Sequence, residues 1–179
     1  MPIAIFPGHV GKDSGAIDKT HDFSNDELYS IEAVINAIIA TRLHSSLNQM
    51  KIPSELYIGS FNKRIKESEK CTFGISLHCD AFKDDNINGY TVFHYPGSTK
   101  GHEAAVGLEM ELQNILYPTI KSRGIKAEDF YILKETSFPC ILLEMGFLTN
   151  KSDEMALNNY CTQQKIVHAI ISLILKLKL

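Results

Sequence analysis

The sequence predicts a single α/β domain, in which a twisted, mixed and mostly parallel sheet of about six strands carries helices on both faces. Short apolar runs alternate with longer segments of helical periodicity, which is typical of this class. The chain of 179 residues is long enough for one domain with a sizeable core. No linker, internal repeat or low-complexity tract divides it. We therefore expect residues 1–179 to form one folding unit.

The composition narrows the class of protein. Hydrophobic residues make up 44% of the chain and charged residues 22%, which favours a soluble globular protein. The formal net charge of −3 gives no indication of a nucleic-acid partner. No apolar run is long enough to span a bilayer, and the N-terminus lacks the features of a signal peptide.

The four cysteines form no C-x-x-C pair, so the sequence does not predict a cysteine zinc site. They are Cys71, Cys79, Cys140 and Cys161. The first three lie in or beside apolar strands, and we expect them to be buried, reduced thiols. A protein made in a reducing cytosol fits this pattern.

The N-terminal half begins with an apolar run over 3–6, which predicts a buried strand that a proline and a glycine end. Residues 17–26 indicate an exposed loop, in which Asn25 or Asp26 could cap a helix. Apolar spacing over 31–50 predicts that helix. A strand over 55–58, a charged surface helix over 61–70 and a strand over 73–77 are expected to follow.

The C-terminal half continues the alternation. A run of β-formers predicts a strand over 90–95, and a turn follows it. The remaining predicted elements are a helix over 102–116, strands over 130–133 and 139–143, a short helix over 151–158 and a last helix over 163–177.

Three predicted strands lead into residues with metal or proton chemistry. His9 follows the first strand, His78 the third and Glu144 the last. Open α/β sheets bind ligands at the carboxyl ends of their strands, so we expect these side chains to meet. Two imidazoles and one carboxylate form a frequent catalytic zinc set, which leaves a fourth position for water. The pattern therefore indicates metal-dependent hydrolysis.

Other catalytic classes are less well supported. The segment Gly8–Asp13 has two residues between its glycines where a phosphate-binding P-loop has four, and its lysine is not followed by Ser or Thr. No G-x-S-x-G elbow occurs. Cys79 adjoins His78, but neighbours on a strand point to opposite faces, which argues against a cysteine nucleophile.

These segments together resemble zinc-dependent N-acetylmuramoyl-L-alanine amidases of the Amidase_3 type. The resemblance extends from Ile3 to about Leu175. The match at Leu143–Asn150 is close. The other matching positions are Pro7–His9, Lys12–Ala16, Glu32 with Asn36 four residues later, Arg64, Ser76–His78, Arg123–Lys126 and Phe130–Leu133.

The resemblance implies a set of roles. Zinc would be bound by His9, Glu32 and His78, and Glu144 would be the general acid–base. The bond cut would be the amide that joins N-acetylmuramic acid to L-alanine in peptidoglycan. Two alternatives stay open, namely a zinc peptidase that cuts within the stem peptide and a non-catalytic wall-binding relative.

Glu32 rather than Glu27 is the expected carboxylate ligand. The two lie five residues apart, about 140° in helical projection, so both cannot face one metal. Only Glu32 has Asn36 four residues later. Val10 and the pair Cys79-Asp80 depart from the family pattern without removing a ligand, and we expect them to alter the fit of substrate.

The resemblance also suggests a setting. We expect residues 1–179 to be a single catalytic domain without a separate wall-binding domain, similar to a phage endolysin. Such a monomer would be made in the cytoplasm without a signal peptide and would act on the cell wall after release. A leaderless bacterial amidase is the alternative. The sequence leaves open the roles of Asn36, Arg64, Asp80 and Arg123.

Overall fold

The structure is a computed structural model, and it describes residues 1–9, 13–17 and 31–177. Strands and helices alternate along the described chain. The strands are β1 (Ile3–Pro7), β2 (Ser54–Leu56), β3 (Phe73–Asp80), β4 (Tyr90–His94), β5 (Ser122–Ala127) and β6 (Cys140–Phe147). The helices are α1 (Glu32–Gln49), α2 (Phe61–Ser68), α3 (Thr99–Leu116), α4 (Tyr131–Glu135), α5 (Lys151–Asn158) and α6 (Tyr160–Lys176).

The six strands form one mixed sheet in the order β2-β1-β3-β6-β4-β5. The first four strands in this order are parallel to one another. β4 is antiparallel to β6, and β5 is parallel to β4. The carboxyl ends of β1, β3 and β6 therefore lie side by side at one edge of the sheet, as the sequence predicts.

Helices cover both faces of the sheet, which confirms the predicted α/β class. The larger core packs α1, α3 and α6 against residues such as Ile75 and Leu77 of β3. The smaller core lies on the opposite face, where Ile132 and Leu133 of α4 pack against strand residues such as Phe6. Because strand residues alternate between faces, His78 points to the side of the smaller core.

One predicted strand is wrong. Residues 130–133 have the composition of a strand, but α4 begins at Tyr131. A short apolar run does not distinguish a strand from a helix. The sixth strand is β5 instead, which the sequence does not reveal because Gly124 and two cations interrupt any apolar pattern. As an edge strand, β5 pairs with β4 alone.

Two helices begin three residues earlier than predicted, and each has a capping side chain at its start. Ser98 accepts a hydrogen bond from the Gly101 amide at the start of α3. Asn159 accepts from the amides of Cys161 and Thr162 at the start of α6. Caps of this kind satisfy the free N–H groups of the first turn, so they set the boundary where apolar periodicity does not.

Residues 10–12, 18–30 and 178–179 lie outside the described residues. The predictions for the loop after Ile17, for a cap at Asn25 or Asp26 and for Glu27 therefore fall outside the structure. Across the part of the chain that is described, no helix combines the length and apolarity needed to cross a membrane.

Candidate metal centre

Three predicted ligands converge at the carboxyl edge of the sheet. One donor atom from each of His9, Glu32 and His78 lies within 4.8 Å of the other two. Glu32 lies between the rings, with Oε1 3.0 Å from His78 Nδ1 and Oε2 3.4 Å from His9 Nε2. Two imidazoles and one carboxylate at these distances form a group that could hold a metal ion.

His9 reaches this position through an unusual backbone conformation. Its φ is 50°, in the left-handed region that non-glycine residues seldom occupy. Such strain persists where the surrounding structure determines it, and it is concentrated at functional sites. The Asp13 carboxylate lies 2.9 Å from Nδ1 of the same ring. The turn after β1 thus presents His9 toward Glu32.

Two glycines provide the space that the donor group occupies. A Cβ atom on Gly8 would lie 2.3 Å from Cε1 of His78. A Cβ on Gly15 would lie 2.4 Å from Glu32 Oε2 and 2.7 Å from the His9 ring, and the φ of Gly15 is +67°. Only a residue without a side chain allows these approaches.

Glu32 is buried and held in its charged form. Its oxygens accept hydrogen bonds from the amides of Ala16 (2.8 Å) and Cys79 (3.1 Å) and from Asn36 Nδ2 (3.3 Å). Burial raises its pKa, but the hydrogen bonds with His78, Ala16 and Cys79 outweigh burial, so the pKa of Glu32 is lowered overall. The group therefore contains one carboxylate at neutral pH.

Asn36 explains why an asparagine follows Glu32 by one helical turn. It is fully buried in α1, and its Nδ2 donates to the Gly8 carbonyl (3.1 Å) as well as to Glu32. Its Oδ1 lies 3.6 Å from Cys79 Sγ. Asn36 thus ties the ligand helix to the end of β1.

The buried cysteines are confirmed as free thiols, whereas Cys161 is exposed. Burial raises the pKa of Cys79 well above its ordinary value, so this sulfur stays protonated. Its side chain belongs to the larger core, while the neighbouring His78 faces the site. This divergence argues against a cysteine nucleophile, as the sequence predicts.

Glu144 lies beside the donor group without belonging to it. It is the direct partner of His78 in the β3–β6 register. Desolvation by burial raises the pKa of Glu144 to about 9, and the Asp80 and Glu32 carboxylates add to the effect. Its buried Oε2 has no hydrogen-bond partner among the described residues. A buried carboxyl with one unsatisfied oxygen is suited to proton transfer.

A groove of about 720 Å³ opens in front of the two histidines. His9, Asp13 and His78 form one side. The opposite side consists of residues from the β2–α2 connection and the start of α2, namely Ile58, Gly59, Ser60, Phe61, Lys63 and Arg64. This volume is in the range of small-molecule binding sites.

Arg64 positions that opposite side. Its Nε donates to the Gly59 carbonyl (2.7 Å) and its Nη1 to the Pro7 carbonyl (3.0 Å). The predicted surface helix is present as α2, but this residue is buried, and desolvation lowers its pKa. The guanidinium therefore links the groove to the end of β1. The charged sequence of α2 predicts an exposed arginine and gives no indication of these two hydrogen bonds.

Asp80 and Arg123 lie on the Glu144 side of the site, where Asp80 acts electrostatically on Glu144 and Arg123 acts on Asp80. Arg123 donates to the Asn88 carbonyl (3.3 Å), and its guanidinium carbon lies 5.1 Å from the Phe147 ring centroid. The Asp80 carboxylate accepts from the Ala81 amide (2.8 Å). Burial raises the pKa of Asp80, while the charge of Arg123 acts in the opposite direction.

Comparison with known sequences gives a consistent result. Residues 3–176 match the family described as N-acetylmuramoyl-L-alanine amidase. The chain is 26% identical over 172 residues to a probable cell wall amidase LytH of Staphylococcus saprophyticus, covering 94% of this chain and 56% of that protein. It is 25% identical over 169 residues to the Staphylococcus aureus LytH, covering 94% and 55%. The chain thus spans just over half the length of these curated relatives.

Solved structures share the fold. The amidase AmiC2 of Nostoc punctiforme matches with a TM-score of 0.86 and 27% identity, over 99% of this chain and 97% of that one. An amidase from Clostridium difficile 630 matches with a TM-score of 0.87 and 26% identity, over 98% and 95%. The catalytic domain of the CD27L endolysin, at 23% identity and a TM-score of 0.75 over 98% and 97%, shows a common fold alone.

Proposed function

This chain belongs to the N-acetylmuramoyl-L-alanine amidase family, and we propose that it hydrolyses the amide bond between N-acetylmuramic acid and L-alanine in peptidoglycan. The observation that carries the proposal is the donor group of His9, Glu32 and His78 next to the buried Glu144. A metal group beside an unsatisfied carboxyl is an arrangement for hydrolysis, and the family supplies the substrate.

The donor set fits zinc. Imidazole nitrogen and carboxylate oxygen are both zinc ligands, and three protein ligands leave a position open for water. The lowered pKa of Glu32 provides the deprotonated carboxylate that metal binding requires. In this proposal His9, Glu32 and His78 are the ligands. Bound zinc would lower the pKa of a water toward ~7 and polarise the amide carbonyl.

Glu144 would move the proton. Its Oε2 would accept a proton from the attacking water and then pass it to the leaving amine nitrogen. In the metal-free protein the raised pKa keeps Glu144 protonated at neutral pH. A zinc cation held by the neighbouring ligands would lower this pKa and leave the carboxylate that accepts the water proton. The register that pairs Glu144 with His78 supports a position of this carboxyl beside the donor group.

Other residues would hold the site in shape. Asn36 orients Glu32 and supports the backbone of the His9 turn. Arg64 fixes the far side of the groove to the end of β1. These contacts would keep water, ligands and substrate in the geometry that hydrolysis needs.

Peptidoglycan lies outside the cytoplasm, so the enzyme would act there. Release in the manner of an endolysin, action as a monomer and the absence of a separate wall-binding domain within residues 1–179 stay predictions.

The test is digestion of purified peptidoglycan by the zinc-loaded protein, followed by mass spectrometry. We expect free L-alanine amino termini, intact glycan strands and loss of activity after chelation. Alanine left on muramic acid would indicate a stem peptidase instead. New reducing ends would indicate a glycosidase, and binding without any product would indicate a wall-binding protein.

A further inference from the structure

A row of aromatic rings borders the candidate site on the face of the sheet that carries His78. Phe61 at the start of α2 packs edge-on against Tyr131 at the start of α4, with ring centroids 5.7 Å apart. The next residue back along the chain, Phe130, packs edge-on against Phe93 of β4 at 5.1 Å. We name these four residues the aromatic ridge.

Most of the ridge is open to solvent. The exposed fraction is 55% for Phe61, 47% for Tyr131 and 38% for Phe130, whereas Phe93 is buried. Phe61 also forms part of the groove that contains the two histidines. Two of these exposed rings, Phe61 and Tyr131, contact each other, and Phe61 joins the pair to the groove of the candidate active site.

Three cations of α2 and α4 near the Phe61–Tyr131 end have partners among the described residues. Arg64 is bound to two carbonyl groups. Lys63 lies 4.0 Å from Glu67, and Lys134 lies 3.6 Å from Asp129. This end therefore suits a neutral ligand with apolar faces rather than an anionic membrane surface.

The opposite end of the ridge is charged. Lys126 Nζ lies 6.0 Å from the Phe93 ring centroid, and Arg123 and Asp80 flank the site nearby. The surface around the site is therefore divided into an aromatic side and an ionic side. A substrate with one neutral part and one charged part would be oriented by this division.

Building on the proposed function, we propose that the aromatic ridge binds the glycan strand of peptidoglycan, with sugar rings lying on Phe61 and Tyr131. Pyranose rings have C–H faces that pack on aromatic rings. The Tyr131 hydroxyl donates to Asn62 Oδ1 (2.9 Å), which fixes an amide beside the rings where its N–H groups can donate to sugar oxygens.

This placement orients the substrate. The scissile bond joins the sugar to the stem peptide, so a glycan on the ridge directs the stem toward Asp80 and Arg123. The stem carries the ionic groups of the substrate, which agrees with the ionic side of the site.

The probe is a set of glycan strands stripped of their stem peptides, which can bind without being hydrolysed. We would titrate these strands into zinc-loaded wild type, Phe61→Ala, Tyr131→Ala and Tyr160→Ala. Tyr160 is a matched control, because it is exposed, begins helix α6 and lies under an arginine as Phe61 does. Each ridge variant should weaken binding roughly tenfold, the loss expected for one apolar ring contact, and Tyr160→Ala should not.

Hydrolysis provides the second measurement. On long strands that carry stems, Phe61→Ala and Tyr131→Ala should raise KM by a similar factor, with a smaller rise on a single N-acetylmuramoyl dipeptide. An equal rise in KM on both substrates, or unchanged binding of stripped strands, would refute the proposal that the ridge binds glycan. Binding of the ridge to phospholipid vesicles in place of glycan would overturn it as well.

The outcomes separate this inference from the proposed function. Strands that bind through the ridge while no amide is cut would refute the amidase and leave the glycan site standing. Amide hydrolysis that the ridge variants leave unchanged would support the amidase and refute the glycan site.

Discussion

His78 and Glu144 are direct partners in the parallel pair of β3 and β6. Residues in this relation lie on the same face of neighbouring strands, which are about 4.8 Å apart. The sheet register therefore sets the spacing between a predicted ligand and the predicted general acid–base. A slip by one residue would turn the Glu144 side chain into the larger core, among Leu143 and Met145.

Glu144→Gln should keep zinc and fold but lose about 10²–10⁴-fold in kcat, because a positioned general acid–base contributes that much. Glutamine keeps the shape of the side chain but cannot accept the proton. Zinc content and kcat are measured on the same preparation. Near-normal turnover would remove Glu144 from the mechanism, and loss of zinc would make it a ligand.

Purified protein should contain about one zinc ion per chain, as expected of a single three-ligand site. His78→Ala and Glu32→Ala should lose the metal, because each removes one of three ligands. Glu27→Ala should keep it, and so should His168→Ala, a change at an exposed histidine on α6. Bound zinc is measured by elemental analysis after dialysis. Metal loss in Glu27→Ala with retention in Glu32→Ala would show that the carboxylate ligand is misassigned.

Asn36→Ala should weaken zinc binding by roughly 10–100-fold, because residues that orient a ligand commonly contribute that much. The variant removes the bonds to Glu32 and to the Gly8 carbonyl. Asn48→Ala is the control, since Asn48 lies on the same helix and forms an exposed hydrogen bond with His44 Nε2, away from the donor group. Affinity is measured by competition with a chelator of known strength. Equal affinity in both variants would show that Asn36 does not position the ligand.

Asp153 should make stability depend on pH in a defined direction. Its Oδ2 accepts from the amides of Gly89 (2.7 Å) and Phe147 (2.9 Å). Burial nevertheless raises its pKa above the ordinary 3.8, although these two bonds and Arg123 oppose the shift. The folded state thus binds this proton more tightly than the unfolded state does, so its contribution to stability is full below 3.8 and declines as pH rises through the raised pKa.

The comparison is between wild type and Asp153→Asn, which cannot ionise. Wild type should lose free energy of unfolding relative to the variant between pH 4 and pH 7, as measured by urea unfolding of metal-free protein. A relative gain over the same interval would mean that the hydrogen bonds outweigh burial and that the pKa is lowered.

Sequence patterns predict the parts of this fold that depend on periodicity. The buried run at Ile3 and the spacing of α1 are such cases, since one buried face repeats along the element. The segment at Phe130 is predicted wrongly, because four apolar residues fit a strand as well as one helical turn. Strand β5 is held by its neighbour rather than by its own apolar pattern, so a single sequence carries no signal for it.

The candidate site also contains residues that the sequence predicts and residues whose functions it does not predict. His9, His78 and Glu144 are predictable because each comes after a short apolar run in the sequence, and the family resemblance adds Glu32. The strands β3 and β6 continue past His78 and Glu144, which the apolar runs do not predict. The functions of Asn36 and Arg64 depend on carbonyl groups 28 and 57 residues away, which no local pattern encodes. The aromatic ridge likewise joins residues from three separate segments.

The close packing of Gly8 and Gly15 on the three donors has a consequence for protein design. A scaffold that received only His9, Glu32 and His78 would present a Cβ atom where the rings and the carboxylate must lie. A transplant of the three donors must therefore also carry both glycines, which provide the space for them. Libraries that randomise the residues around this centre should keep both glycines constant and vary other positions.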